Sequence, residues 1–331
     1  MRQFLILALL TTAAFAQEGP YKVVKTAKVG GAGGFDYVYA DAANRKLYVP
    51  RPGSPARVSV YDLDTLAPVG EIADTNARGV AVSVKSNHGF ASSKPLAMWD
   101  AKTLKLVKTI DVEGGPDGIL YDAFNDRVWV FSHRAPNATV VNAADGSIAG
   151  TVDLGGAPEQ AVTDGKGHLY VDIEDKDKIA VVDAKTLAVT TSYDISGKGG
   201  GCAGLAFDVK NGILFATCRK PQAMVILSAA DGKVITTLPI GMGTDGATFN
   251  PSTMEAFSSQ GDGTLTIVKE NSPTSFTVEQ NLETMKSAKT LTLDPRTGHI
   301  LLIGAEFGEP DAGQRRGTMV PDSFTVLVAG K

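Results

Sequence analysis

The sequence has little of several features that would quickly define a class of protein. Of its 331 residues, only two are cysteine, two are tryptophan and four are histidine. Its formal charge at pH 7 is −4, so it lacks the strong positive charge that drives bulk electrostatic binding of nucleic acid. After the first sixteen residues, no segment approaches the ~20 apolar residues of a transmembrane helix. No long stretch has the 3.6-residue period of an amphipathic helix, which argues against a mostly helical fold.

The sequence also lacks the motifs of common catalytic and cofactor sites. It contains no G-x-S-x-G nucleophile turn, no C-x-x-C-H haem attachment and no glycine loop followed by Lys-Ser/Thr. No two histidines have H-x-x-x-H or H-E-x-x-H spacing, and the acidic segment at 172–178 lacks the glycine and terminal Glu of an EF-hand. The sequence therefore assigns no metal ligands and no cofactor, and it leaves open whether the protein is an enzyme.

The first sixteen residues, MRQFLILALLTTAAFA, have the layout of a secretory signal peptide. A basic start at Arg2 precedes an apolar run over 4–10 and an Ala-Phe-Ala ending at 14–16. We expect cleavage after Ala16 and a periplasmic or secreted mature chain. The alternative is an uncleaved membrane anchor, for which the apolar run is short. Removal of Arg2 with the leader changes the formal charge from −4 to −5.

The main positive feature of the sequence is a repeat of about forty residues. The pentapeptide Asp-Ala-Lys-Thr-Leu occurs at 100–104 and again at 183–187. Weaker copies lie around these two, and the five turns begin at Asp62, Asp100, Asn142, Asp183 and Ser228. Seven strand openings align at intervals of 39 to 44 residues, at Asp36, Arg78, Asp117, Glu159, Ala203, Asp245 and Lys289. This period is typical of β-propeller blades.

Each unit has the pattern of four short strands. In the third unit, GPDGILYD, VWVFS, ATVVN and SIAGTVDL alternate with turns rich in Asn, Asp and Gly. The seventh unit ends after three strands, and YKVVKTAKV at 21–29 can supply the fourth. We therefore predict an all-β fold, a single seven-bladed β-propeller domain over residues 17–331. Each blade would have four antiparallel strands, and the N-terminal strand would close the last blade.

Several strands resemble the repeats of a known family. The second strands KLYVPRP, HLYVDIE and RVWVFSH, the third strands ARVSVYD and KIAVVDA, and a Pro-Asp-Gly opening are similar to bacterial YVTN-type seven-bladed propeller repeats. The resemblance covers essentially the whole mature chain. It implies the fold and no single activity, because such proteins include exported binding proteins, nucleic-acid-binding examples and relatives of sugar-lactone hydrolases.

Loops at one end of a propeller channel are the natural place for a functional site. The starts of the first strands and the loops between second and third strands would share that end. Their side chains could hold a metal, a sugar acid or a small zwitterion. The candidates are Asp36, Arg51, Arg78, Asp117, His133, Arg134, Glu159, Arg219, Asp245, Lys289 and Glu306. The same loops also carry Lys94, Glu174, Lys220 and Gln260. The alternative for each Asp is a turn residue that hydrogen-bonds nearby backbone.

The two cysteines fall in one hairpin of the fifth unit. Cys202 opens the first strand and Cys218 ends the second, so folding about VKNG at 209–212 brings them nearly opposite each other. In an exported protein this arrangement favours a disulfide. Two free buried thiols are the alternative.

Three functions are compatible with this pattern. The leading hypothesis is an exported binding or scaffold propeller with a site at the channel mouth, whose partner is an unidentified small molecule or protein. The second is a lactonase-like hydrolase that uses mouth carboxylates, with Arg78 or Arg219 stabilising developing negative charge. The third is a nucleic-acid-binding propeller, which the net negative charge disfavours.

Overall fold

A computed structural model of the protein describes residues 19–310, 313 and 317–331. The expected signal peptide at 1–16 lies outside the described residues. Within them, 28 strands form seven four-stranded antiparallel sheets, which confirms the seven-bladed propeller. The helical content of this part of the chain is one 3₁₀ turn at Glu174–Lys176. No helix there has the length and apolar character that a membrane crossing would need.

The strands of each blade follow one another in the chain, except in the last blade. Blade one contains β2 (Tyr39–Asp41), β3 (Lys46–Arg51), β4 (Arg57–Asp62) and β5 (Pro68–Ala73). Blade two contains β6 (Val80–Val82), β7 (His88–Ala91), β8 (Leu96–Asp100) and β9 (Leu106–Ile110). Blade three contains β10 (Pro116–Asp122), β11 (Arg127–Ser132), β12 (Asn137–Asn142) and β13 (Ile148–Asp153). Blade four contains β14 (Pro158–Thr163), β15 (His168–Ile173), β16 (Lys178–Asp183) and β17 (Ala188–Asp194).

The remaining three blades complete the ring. Blade five contains β18 (Cys202–Asp208), β19 (Ile213–Arg219), β20 (Gln222–Ser228) and β21 (Val234–Pro239). Blade six contains β22 (Thr244–Asn250), β23 (Glu255–Gln260), β24 (Thr264–Ser272) and β25 (Ser275–Glu283). Blade seven contains β26 (Thr290–Asp294), β27 (His299–Gly304), β28 (Thr325–Gly330) and, from the start of the chain, β1 (Lys22–Lys28).

The first strand of the chain closes the ring, as predicted. Strand β1 runs antiparallel to β28, with Lys22 opposite Gly330 and Lys28 opposite Thr325. The preceding Tyr21 is only 4% exposed, and its hydroxyl donates a hydrogen bond to Glu255 of blade six at 2.5 Å. The two ends of the propeller therefore meet in one sheet.

Apolar side chains fill the interfaces between neighbouring blades. The middle strands β11 and β12 are mostly buried, whereas the fourth strand β13 is largely accessible to solvent. Among the described residues, seven hydrophobic clusters form, one at each interface between adjacent blades. Trp99 and Trp129 are fully buried in two of them. Each blade therefore depends on both neighbours for its core, as expected for a repeat protein.

The repeated pentapeptide forms the turn between the third and fourth strands. In blade two, the Asp100 carboxylate accepts a hydrogen bond from the backbone N–H of Thr103 at 2.7 Å. Leu104 follows at φ +61°, where the weaker copy in blade three has Gly146 at φ +70°. The Leu104 side chain lies close to Gly70 of blade one, because a Cβ added at Gly70 would be only 3.0 Å from Leu104 Cδ1. The leucine thus packs against the preceding blade from a backbone conformation that suits glycine better.

The predicted disulfide is present in blade five. Cys202 and Cys218 lie opposite each other in the β18–β19 pair and are joined through their sulfurs. The bond links the first and second strands of the blade at the end nearest the channel mouth.

Candidate functional site

The first strands of the blades surround the channel, and its mouth lies where they begin. Eight of the eleven candidate residues make ion-pair or hydrogen-bond contacts there. They are Asp36, Arg78, Asp117, His133, Glu159, Arg219, Asp245 and Lys289. We call these residues, with Glu174 and Tyr37, the mouth cluster.

The first arc of the mouth cluster is centred on an arginine of blade two. Arg78 Nη1 donates to Asp36 Oδ2 at 2.9 Å, and its Nε lies 3.9 Å from Asp117 Oδ1. The two carboxylates come from blades one and three, so one guanidinium joins three consecutive blades. Asp36 is 8% exposed, whereas the Arg78 side chain is 54% exposed and faces solvent.

The second arc continues across blades four to seven. Arg219 donates to Glu174 through one terminal nitrogen and to Asp245 through the other. The ammonium of Lys289 donates to the second oxygen of Asp245. Glu174 begins the 3₁₀ turn that follows β15, which places this loop residue at the mouth, as the repeat predicts.

A histidine and two glutamates meet at one point of this arc. His133 Nδ1 lies 3.2 Å from Glu159 Oε1, and His133 Nε2 lies 3.7 Å from Glu174 Oε2. The hydroxyl of Tyr37 donates to Glu159 Oε2 at 2.7 Å. Since Tyr37 belongs to blade one and Glu159 to blade four, this hydrogen bond crosses the channel.

The channel continues inside the mouth as a cavity of about 350 Å³. Tyr37 and Glu159 are among its lining residues, so their hydrogen bond lies between the cavity and the mouth cluster. Gln160 lines it as well, and its Oε1 accepts hydrogen bonds from the backbone N–H of Leu205 at 3.1 Å and of Ala247 at 3.0 Å. This side chain connects blade four to blades five and six.

Two carboxyl groups of the mouth cluster have raised pKa values. Burial raises the pKa of Glu159 to about 8, with repulsion from Glu174 adding to it and the hydrogen bond from Tyr37 opposing it. Burial and repulsion from Asp36 likewise raise the pKa of Asp117 to about 6. Carboxylates respond in this way when negative charges are crowded in a poorly solvated place. Such shifts in a cleft are typical of functional sites.

A further carboxylate, Asp172, lies beneath this cluster and was not predicted. It is 0% exposed, and neither of its carboxylate oxygens has a hydrogen-bond partner among the described residues. Burial raises its pKa well above the usual value, and repulsion from Glu159 and Glu174 adds to the rise. The signal in the sequence is an acidic residue inside the apolar strand HLYVDI.

Three candidates lie apart from the mouth cluster. The guanidinium of Arg51 is buried and donates to the carbonyl of Gly30, and its carbon lies 3.5 Å from the Phe324 ring centroid, so it supports a loop. Arg134 is exposed, and Glu306 is exposed with no described cation paired to its carboxylate. The repeat places all three at the same end of the blades, but their partners differ.

Comparison with known proteins shows the fold alone. No family model and no curated protein matches the chain. Among solved structures, a chain of the "Crystal Structure of Mitotic Checkpoint Complex" is similar over 100% of this chain and 98% of its own length, with a TM-score of 0.74 at 11% identity. An identity this low carries no residue roles. The protein is thus a seven-bladed β-propeller with a carboxylate-rich channel mouth.

Proposed function

We propose that this propeller is a binding protein whose channel mouth takes a small ligand that carries positive charge. The observation that supports this most directly is the charge count of the mouth cluster. Its five carboxylates are Asp36, Asp117, Glu159, Glu174 and Asp245. Its three permanent cations are Arg78, Arg219 and Lys289. Because the pKa of Glu159 is about 8, this group is largely protonated at pH 7, so four carboxylates face the three cations and a bound cation would favour loss of the Glu159 proton. These groups are held by strands of a rigid ring.

The same contacts argue against the nucleic-acid hypothesis. Binding to a phosphate backbone needs unpaired lysines and arginines. Within the mouth cluster, Arg78, Arg219 and Lys289 all pair with carboxylates of the protein itself, whereas the exposed Arg134 and Lys220 lie outside the cluster. A phosphate approaching them would also meet the surplus negative charge, so nucleic acid is the weaker candidate ligand.

A ligand screen by thermal shift tests the proposal, because a ligand that binds only the native state raises the unfolding temperature. The panel contains organic amines, zwitterions, divalent metals, sugar acids and oligonucleotides. We expect cationic compounds to raise the unfolding temperature, with an effect that weakens in high salt. Sugar acids and oligonucleotides should have no effect, and a response to these alone would contradict the proposal.

A pair of matched variants locates the binding. Asp117→Asn removes one mouth carboxylate, whereas Asp64→Asn makes the same charge change in the turn between β4 and β5, at the opposite end of a blade. We expect the first variant to weaken binding of the cationic compound by about 5- to 10-fold, which corresponds to about 1 kcal/mol. The second should leave binding unchanged. Equal effects of the two variants would place the ligand elsewhere.

A second candidate function, hydrolysis of lactones, is supported by one observation. Burial raises the pKa of Glu159 to about 8, so the group is largely protonated at neutral pH, and His133 lies 3.2 Å away, so this pair has the groups for general acid–base chemistry. A lactone panel tests it with wild-type protein and Glu159→Gln. Turnover that disappears in the variant would support the hydrolase, and no turnover in the wild type would exclude it for those substrates.

The cellular setting is also a proposal. We propose that the chain is exported and belongs among YVTN-type propellers with a binding or scaffold role, for a small molecule or a protein partner. The leader-like residues 1–16, the disulfide Cys202–Cys218 and the seven repeated blades support this. A propeller chain in a solved mitotic checkpoint complex shows that this fold occurs in protein assemblies. N-terminal sequencing of the native protein tests the export, and we expect Gln17 as the first residue.

A further inference from the structure

Three side chains at the mouth bring metal-ligating atoms close together. One nitrogen of His133 and one carboxylate oxygen each of Glu159 and Glu174 lie within 4.8 Å of one another. The closest pair, His133 Nδ1 and Glu159 Oε1, is separated by 3.2 Å. Two ligands of a tetrahedral Zn²⁺ with bonds of 2.0–2.1 Å lie about 3.3 Å apart, so small side-chain rotations suffice to enclose an ion.

Each of the two glutamates uses one carboxylate oxygen to accept a hydrogen bond and leaves the other oxygen available. Glu159 Oε2 accepts from the Tyr37 hydroxyl, and its Oε1 faces His133. Glu174 Oε1 accepts from Arg219, and its Oε2 faces His133. Hydrogen bonds to the far oxygen of a ligating carboxylate are the usual way in which proteins orient a metal ligand. Here each carboxylate turns its unengaged oxygen toward the imidazole, Glu159 toward Nδ1 and Glu174 toward Nε2, so binding one ion through one nitrogen requires one of the two glutamates to rotate.

The guanidinium of Arg219 is the positive charge beside this point, and it is already paired with Glu174 Oε1 and with Asp245. The Glu159 side chain is 12% exposed, and among the described residues its side-chain hydrogen bond is the neutral one from Tyr37. On the adjoining strand β15, Asp172 is fully buried, and neither of its carboxyl oxygens has a hydrogen-bond partner among the described residues.

We propose that the channel mouth binds a divalent transition-metal ion, such as Zn²⁺ or Mn²⁺, through His133, Glu159 and Glu174. An imidazole ligand beside two carboxylates suits these ions better than Ca²⁺ or Mg²⁺, which prefer oxygen ligands alone. The inference rests on the proposed function, because it assigns a chemical class to the cation that the mouth takes. Three protein ligands leave at least one coordination position for water or for a further ligand that enters through the mouth.

Isothermal titration calorimetry with Zn²⁺ and with Mn²⁺ tests the inference on the mature protein after treatment with a chelator. We expect one ion per chain. His133→Ala and Glu174→Gln should each lower the affinity at least about 10-fold. Both side chains are partly exposed, at 36% and 22%, so the variants should keep the unfolding temperature of the wild type in the absence of metal.

The control is a second histidine paired with a carboxylate. His168 Nδ1 lies 2.9 Å from Asp164 Oδ2 on an exposed hairpin, where metal could bind nonspecifically. His168→Ala should leave the affinity unchanged. Loss of binding in this variant, or full affinity in both His133→Ala and Glu174→Gln, would overturn the inference. If His133→Ala fails to fold, Glu174→Gln decides the matter alone.

The outcomes also separate this inference from the proposed function. If organic cations stabilise the protein through Asp117 and neither metal ion binds, the metal site is excluded and cation binding at the mouth stands. If metal binds with the expected variant effects, both stand. If neither kind of cation binds, both are wrong. Tighter binding of Ca²⁺ than of Zn²⁺ or Mn²⁺ would contradict the assigned class of metal.

Discussion

At the residue scale, the charged side chains of this propeller have several roles, and some of them hold loops in place while others face the channel. Arg51 is of the first kind: it is 1% exposed and donates to the carbonyls of Gly30 and Ala32, in the glycine-rich crossing from β1 to blade one. A Cβ on Gly31, whose φ is +82°, would lie 2.8 Å from Arg57 Nη2. The arginine side chain could move away, so it is the positive φ of Gly31 that favours glycine at this position.

Replacement of Arg51 by Ala should destabilise the fold without affecting the mouth. The variant removes a buried side chain that packs on Phe324 and donates to the carbonyls of Gly30 and Ala32, and we expect a loss of about 3 kcal/mol in the free energy of unfolding. The exposed Arg134→Ala is the control and should cost less than about 0.5 kcal/mol. Urea denaturation measures both. A loss of ligand affinity with unchanged stability in Arg51→Ala would instead assign Arg51 to binding.

A second residue-scale prediction concerns acid stability. Arg45 of blade one donates to both oxygens of Asp294 of blade seven, at 2.9 and 2.8 Å. Burial raises the pKa of Asp294, but hydrogen bonds from Arg45 and Thr297 outweigh it and lower the pKa to about 2. A folded-state pKa below the unfolded value of about 3.9 means that the stabilisation is complete above pH 4 and is lost as the pH falls toward 2.

The matching experiment compares wild-type protein with Asp294→Asn by denaturation at several pH values. We expect the variant to be less stable by about 1–2 kcal/mol at pH 7. The difference should shrink as the pH falls from 4 toward 2, because the wild-type carboxylate then becomes protonated. A difference that stays constant over this range would show that the ion pair is not its source.

At the scale of elements, the turn between third and fourth strands explains why the pentapeptide is repeated. Its Asp caps the turn through backbone N–H groups, and its Leu packs between blades at positive φ. Leu66, the copy in blade one, has φ +62° and is 5% exposed in the cluster between blades seven and one. One residue thus combines an unfavourable backbone conformation with a favourable side-chain contact.

Substitution of Leu66 separates the two effects. Leu66→Ala loses the packing and keeps the strained backbone, so we expect a cost of about 2–3 kcal/mol. Leu66→Gly loses the same packing but relieves the backbone by about 1 kcal/mol. The glycine variant should therefore be at least as stable as the alanine variant by chemical denaturation. A glycine variant clearly less stable than the alanine one would contradict this account of the turn.

The positions that could be predicted from the sequence are those that the repeat determines. Asp36, Asp117 and Glu159 occupy the same position of the repeat, at the opening of a first strand. Equivalent positions of the repeat lie at the same face of the ring. The partners of Arg51 lie in a crossing that occurs once in the chain, so the repeat contains no information about them. Asp172 was missed because it lies inside the second strand of its blade, outside the strand openings and loops in which candidates were sought.

At the scale of the whole molecule, the ring depends on one strand supplied from the start of the chain. Without β1, strand β28 would have an open edge, which is prone to pairing with other chains. The hydrogen bond from the Tyr21 hydroxyl to Glu255 of blade six would be lost as well. The closure holds the first strands of blades one and seven side by side, and with them Asp36 and Lys289 of the mouth.

A variant that begins at Gly30 tests this closure. We expect it to unfold at lower denaturant concentration, with a loss of about 3–5 kcal/mol from missing strand pairing and packing. A synthetic peptide spanning residues 19–29 should restore part of the stability by adding as a strand to the open edge. An unchanged denaturation midpoint without the peptide would show that β1 is dispensable.

The central claim is that the mouth of the channel binds a cation between blades three and four. Anomalous diffraction from crystals grown with Zn²⁺ or Mn²⁺ tests it most directly. We predict one strong anomalous peak at about 2.0–2.3 Å from a nitrogen of His133 and from oxygens of Glu159 and Glu174. A mouth without an anomalous peak, while ions occupy only surface positions such as the His168–Asp164 pair, would contradict the claim.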